Sequence, residues 1–147
     1  MTRNQTVEIN HLTVLQIQYL TELEQLEKGR GTIGAVAAKC GVKHPTVSRF
    51  FKSCIEKGYL TESLEFTDKG KKMLRWHQKV QKDVREYLER SGITEGIDDV
   101  LKGMIENIDY RRLEELTKSH MRINKEIRMQ KEQNQIRNIE ELVEYGN

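Results

Sequence analysis

Leu12, Leu15, Tyr19, Leu23 and Leu26 recur at helical spacing and predict a first helix ending near Gly29. From Ile33 to Lys57 the apolar period breaks once, at Gly41, which predicts two short helices crossing at a tight turn. Ala37 is small enough to let them touch, Gly41 can take positive φ in the bend, and Val47 ties the second helix to the first. Val36, Cys40 and Val42 supply the other apolar contacts, Phe50 completes the bihelical core, and its neighbour Phe51 is expected to pack toward the first helix or the wing that follows. Pro45 falls just inside the second helix, where its missing N–H costs nothing.

Gly58 closes that helix, and Tyr59–Thr61 with Leu64–Thr67 read as two very short strands of a hairpin. A long amphipathic helix from Lys71 carries Met73, Trp76 or His77, Val80, Val84, Tyr87 and Leu88 before Gly92 stops it. Another runs from about Gly96 to Ile108 and buries Ile97, Val100, Leu101, Met104, Ile105 and Ile108. The last stretch, from Tyr110, begins with Leu113 and Leu116 and thins to Ile123, Ile127, Ile136, Ile139, Leu142 and Val143 among many charges. It is expected to be helical, largely exposed and available to a partner helix. Residues 1–10 are polar and read as a loose arm.

The expected fold is therefore mostly α: a winged helix-turn-helix with a small β-hairpin wing (residues 1–72), then a helical dimerisation domain (73–147). Composition agrees, with 33% charged residues, 36% hydrophobic residues and a single proline. No apolar run approaches the roughly 20 residues that span a bilayer, and no signal-peptide pattern opens the chain. The expected setting is cytoplasmic, and Cys40 and Cys54 are expected to be reduced core thiols.

The net charge of +2 hides an uneven distribution. Between Lys28 and Leu60 seven basic residues face one acid, Glu56, whereas from Leu101 onward nine bases meet nine acids. A phosphate backbone is drawn to the first region and indifferent to the last. In a helix-turn-helix the N-terminal part of the second helix meets base edges while the rest of the unit grips phosphates. Lys43, His44, Thr46, Ser48, Arg49 and Lys52 occupy that outward face. Arg49 is the candidate for base readout, because a guanidinium can bond guanine at two points. Thr46 and Ser48 serve a phosphate or a base, Lys43 and Lys52 serve phosphates, and His44 either caps the helix or meets DNA. Lys69, Lys71, Lys72 and Arg75 form a second basic cluster, from which Lys69 and Lys71 are the candidate phosphate contacts.

The GAVAAKCGVKHPTVSRFF run, the EKGYL after it, the FTDKGKK entering the long helix and the REYLERSGI closing it resemble the diphtheria toxin repressor family of iron- and manganese-dependent repressors, over roughly residues 12–108. The resemblance implies a dimeric DNA-binding repressor with a metal site. Its pattern lays the ligand positions on Gln16 and Tyr19, on Gln81, and near Lys102, Ile105 and Glu106. Of these only Glu106 suits a hard cation, and several donors must converge at once. No metal or other cofactor is therefore expected. An altered site using His77 with Glu106 or Asp109 is the alternative. His11 and His120 suggest nothing specific.

The expected function is a transcriptional regulator, a repressor by resemblance, acting on double-stranded DNA as a homodimer. A winged-helix protein-interaction adaptor is the reading from another class. An enzyme is not expected, because no paired nucleophile and base, phosphate loop or ligand-spaced Cys/His cluster occurs in the sequence.

Overall fold

A computed structural model describes residues 11–145. Six helices follow in order: α1 (Val14–Gln25), α2 (Thr32–Cys40), α3 (His44–Glu56), α4 (Asp68–Arg90), α5 (Ile97–Asn107) and α6 (Tyr110–Tyr145). The arm expected over residues 1–10 lies outside the described residues.

Local chemistry fixes the helix ends. Thr13 and Gln16 form a capping box at α1, each side chain bonding the other's backbone N–H at 3.1 Å. Gly41 ends α2 with φ 67°, and Val42 N–H then bonds Ala37 C=O at 3.0 Å, so the turn closes as its glycine predicts. Thr67 caps α4: its Oγ1 accepts from Gly70 N–H at 3.0 Å and donates to Gly58 C=O at 2.6 Å. Gly70 is needed for a close approach, because a Cβ there would lie 2.0 Å from the Tyr59 carbonyl oxygen.

Two apolar clusters share α4. The first gathers Leu20 and Leu23 of α1, Val36 and Ala37 of α2, and Val47, Phe51 and Cys54 of α3 with Tyr59, Leu60, Met73 and Leu74. The second packs Val80, Val84 and Leu88 of α4 against Ile97, Leu101 and Ile105 of α5 and Tyr110 and Leu113 of α6. Between them lies the fully buried His77, its Nδ1–H donating to Met73 C=O at 2.7 Å and its ring 4.4 Å from that of Tyr110. Tyr110 Oη donates to Leu12 C=O at 2.8 Å and accepts from Gln81 Nε2 at 3.0 Å, which ties the second cluster to the start of α1. Among the described residues no helix is long and apolar enough to cross a membrane.

The expected β-hairpin wing is not formed. Among the described residues the fold is all-helical, and the segment between α3 and α4 holds one antiparallel bridge, Leu60 to Phe66, rather than two strands. Five residues between the bridged positions are consumed by the turn itself: Thr61 N–H bonds Glu65 C=O at 2.8 Å, Leu64 N–H bonds Thr61 C=O at 2.9 Å, and Leu64 takes φ 63°. Tyr59 and Leu60 are buried in the helical core and Leu64 and Phe66 pack against it, so the apolar alternation serves the core instead of a projecting ladder.

The aromatic pair is also reversed from expectation. Phe51 is the core residue, and the half-buried Phe50 sets its ring edge-on to Tyr19 of α1 at 5.8 Å. His77, rather than Trp76, takes the inward position on α4, and Val100 is exposed.

Candidate nucleic-acid interface

The candidate surface is the outer face of α3. Val47, Phe51 and Cys54 turn inward at i, i+4 and i+7, which leaves Thr46, Arg49, Lys52 and Glu56 on the opposite side, all exposed. Lys43 is the N-cap and is exposed, with Thr46 N–H bonding its carbonyl at 3.1 Å. No side-chain oxygen caps this end, and no acid lies in the first turn. The positive end of the helix dipole is therefore left uncompensated, which favours an anion there.

His44 is the first helical residue and not the cap. It is exposed, and its Cδ2 lies 3.9 Å from where a Cβ on Gly34 of α2 would sit. Ser48 is half-buried. Among the described residues Lys43, Arg49, Lys52 and Lys71 take part in no ion pair, whereas Lys39 pairs with Glu22 at 3.9 Å and Arg75 with Glu24 at 2.6 Å. Cations without an internal partner are the ones that can exchange solvent for phosphate oxygens.

The second cluster divides. Lys71 is exposed on the first turns of α4. Lys69 bends back, its Nζ donating to Lys57 C=O at 2.9 Å and lying 5.3 Å from the centre of the Tyr59 ring. It neutralises the carbonyl end of α3, a structural duty that residue spacing could not disclose because it joins the end of α3 to the start of α4. Lys69 thus stands at the C-terminal end of α3, at the far end of the helix from Lys43 and His44.

The thiols are poor nucleophiles. Burial pushes Cys54 up to about 12, with Lys57 opposing weakly. Burial first, and then the Glu22 carboxylate, raise Cys40 despite Lys39 nearby.

The metal positions implied by the sequence resemblance do not fit a cation. Gln16 is used in the α1 capping box, Tyr19 is buried against Phe50, and Gln81 holds the Tyr110 hydroxyl. Among the described residues no three of His, Cys, Asp and Glu gather where they could hold a metal ion.

Compared with known families, residues 12–94 match the one described as wHTH-PRTase associated, a winged helix-turn-helix domain. The match takes in α1 to α4 and stops before α5. No curated protein and no solved structure matches the chain.

Proposed function

We propose, on the premise that this chain belongs to the wHTH-PRTase associated family, that it is a non-enzymatic DNA-binding transcriptional regulator working as a homodimer without a metal corepressor. One observation carries the reading: the second helix of the helix-turn-helix turns Lys43, Thr46, Arg49 and Lys52 to solvent together. Arg49 reads a base edge, Thr46 and Ser48 bond a base or phosphate, and Lys43, Lys52 and Lys71 hold the backbone, while Lys69 stays on the Lys57 carbonyl. His44 contributes at the rim. Two such helices about 34 Å apart address half-sites one turn apart, which suits a roughly palindromic operator. Repression follows if that operator overlaps a promoter.

The test is a gel-shift titration against random and selected duplexes, with and without chelator. Binding that weakens steeply with salt, prefers a subset of sequences and ignores chelator supports the proposal. No binding, or equal binding to every duplex, overturns it. Binding lost on chelation replaces it with the metal-dependent repressor, for which His77 is poorly placed because its Nδ1 already serves Met73.

The family description favours one other reading, an adaptor that docks a PRTase through the same domain. Arg49→Glu with Lys52→Glu separates the two. Loss of DNA affinity with the oligomer intact supports the regulator, and capture of a PRTase unchanged by those substitutions supports the adaptor. A basic face is ill suited to the centre of a protein interface, which is depleted in lysine.

A further inference from the structure

We infer that the distal half of α6 is an antiparallel docking strip for the same segment of a second copy of this chain. The inference rests on the homodimer reading above and gives that dimer a surface and a direction.

Contact between α6 and the rest of the molecule fades early. Tyr110, Leu113 and Thr117 are buried, the His120 ring meets that of Tyr87 at 5.0 Å, and Asn124 is half-buried. From Lys125 to Glu144 every residue is exposed, a projecting helix about 30 Å long. That stretch is not uniformly polar. Met129, Ile136 and Val143 fall seven residues apart, with Ile139 at the intervening position, and these four are 50–62% exposed. Seven-residue spacing with an apolar residue between is the seam of a two-helix pair.

The seam is not the body-facing stripe prolonged. That stripe runs Tyr110, Leu113, Thr117, His120 and Asn124 and would continue through Arg128 and Lys131, which are charged, while Leu116, Ile123 and Ile127 lie exposed to one side of it. The apolar series restarts one residue out of step, at Met129, a rotation of about 100° around the helix. The distal strip is therefore turned about a quarter of the way round from the side on which α6 meets α4.

Charge chooses the occupant. Residues 118–131 carry five cations and one anion, and residues 132–144 carry four anions and one cation. A helix polarised in this way is complementary to itself only when reversed. An antiparallel copy sets Glu141 level with Lys131 and Glu144 level with Arg128, sets Met129 toward Val143 of the second chain, and brings the two Ile136 residues near the two-fold axis. A parallel copy would set acid against acid and base against base.

Sedimentation equilibrium of the full chain at micromolar concentration is expected to give the dimer mass. Ile136→Glu with Ile139→Glu is expected to halve it while the thermal unfolding of the body stays unchanged. Direction is read by charge reversal. Glu141→Lys with Glu144→Lys should weaken the dimer by about an order of magnitude, and adding Arg128→Glu and Lys131→Glu to the same chain should restore it. A monomeric wild type overturns both this inference and the dimer reading. A dimer that survives the isoleucine substitutions, through another face or a different partner helix, overturns the strip alone. No weakening, or no restoration, overturns the antiparallel direction. Salt-dependent DNA binding by the monomeric variant, measured alongside, reports on the α3 reading independently of every one of these results.

Discussion

Gly70→Ala and Gly103→Ala are the same chemical change with opposite expected signs. Each adds one methyl group to a helical position, and an exposed helix interior gains about 1 kcal/mol from it. At Gly103 of α5 nothing lies within 4 Å of the new Cβ, so a gain of about 0.5–1 kcal/mol is expected. At Gly70 the Cβ would lie 2.0 Å from the Tyr59 oxygen and 2.8 Å from its carbonyl carbon. Relief needs α4 and the Tyr59 backbone to part by about 1 Å or more, since contacts under 3.0 Å are essentially never made. That carbonyl is held by Thr67 N–H at 3.1 Å and Thr67 Oγ1 at 3.1 Å, so the movement also loosens the α4 cap. Overpacking costs about 1–3 kcal/mol and a lost cap about 1, against about 1 returned by helix propensity. The expected net loss is about 1–3 kcal/mol, or a fall in Tm of about 3–9 °C at this chain length. Circular dichroism during heating and urea titration measures both variants. If the Gly70 variant proves as stable as the Gly103 variant, the close approach of α4 to Tyr59 is wrong.

Tyr110→Phe leaves the Leu12 carbonyl and the Gln81 amide short of a partner and is expected to cost about 1–3 kcal/mol by urea titration; a neutral result would deny that bond a role. Burial holds Tyr110 at about 12 in the fold against 10.0 ordinarily, so the unfolded chain gives up this proton first and the phenol's contribution is complete below pH 10 and lost as pH rises toward 12. Alkaline unfolding followed by tyrosinate absorbance should become shallower in Tyr110→Phe. Cys54 should react with a disulfide reagent at pH 8 only once denaturant is added, and fast labelling of Cys54 in a native Cys40→Ser chain would contradict its burial. Lys71→Ala should weaken DNA binding evenly across sequences and lower the salt slope by about 1, whereas Arg49→Ala should cost about 1–3 kcal/mol and relax the sequence preference.

Much of the bihelical unit was legible because its constraints are local. Gly41 and Pro45 mark a turn and a helix start whatever surrounds them, and Val47 and Cys54 keep one phase. That phase did not decide between Phe50 and Phe51, since three-residue and four-residue steps from Val47 are both helical; only contact with Tyr19 settles which ring goes deeper. The wing failed for a related reason. Three residues of alternation cannot distinguish a strand from a turn whose apolar side chains fold back onto helices. The outward basic face of α3 follows from helix phase and was readable in advance. The diversion of Lys69 to the Lys57 carbonyl was not, because it depends on where the start of α4 lands.

α4 gives Met73 and Leu74 to one apolar cluster and Val80, Val84 and Leu88 to the other, with His77 between. The molecule consequently has no clean seam for a scissors-and-paste experiment. A fragment stopped at residue 72 strips Tyr59 and Leu60 of two of their neighbours, and one begun at residue 91 leaves α5 and α6 with no wall to lean on. The smallest useful piece of either half carries the whole 23-residue beam.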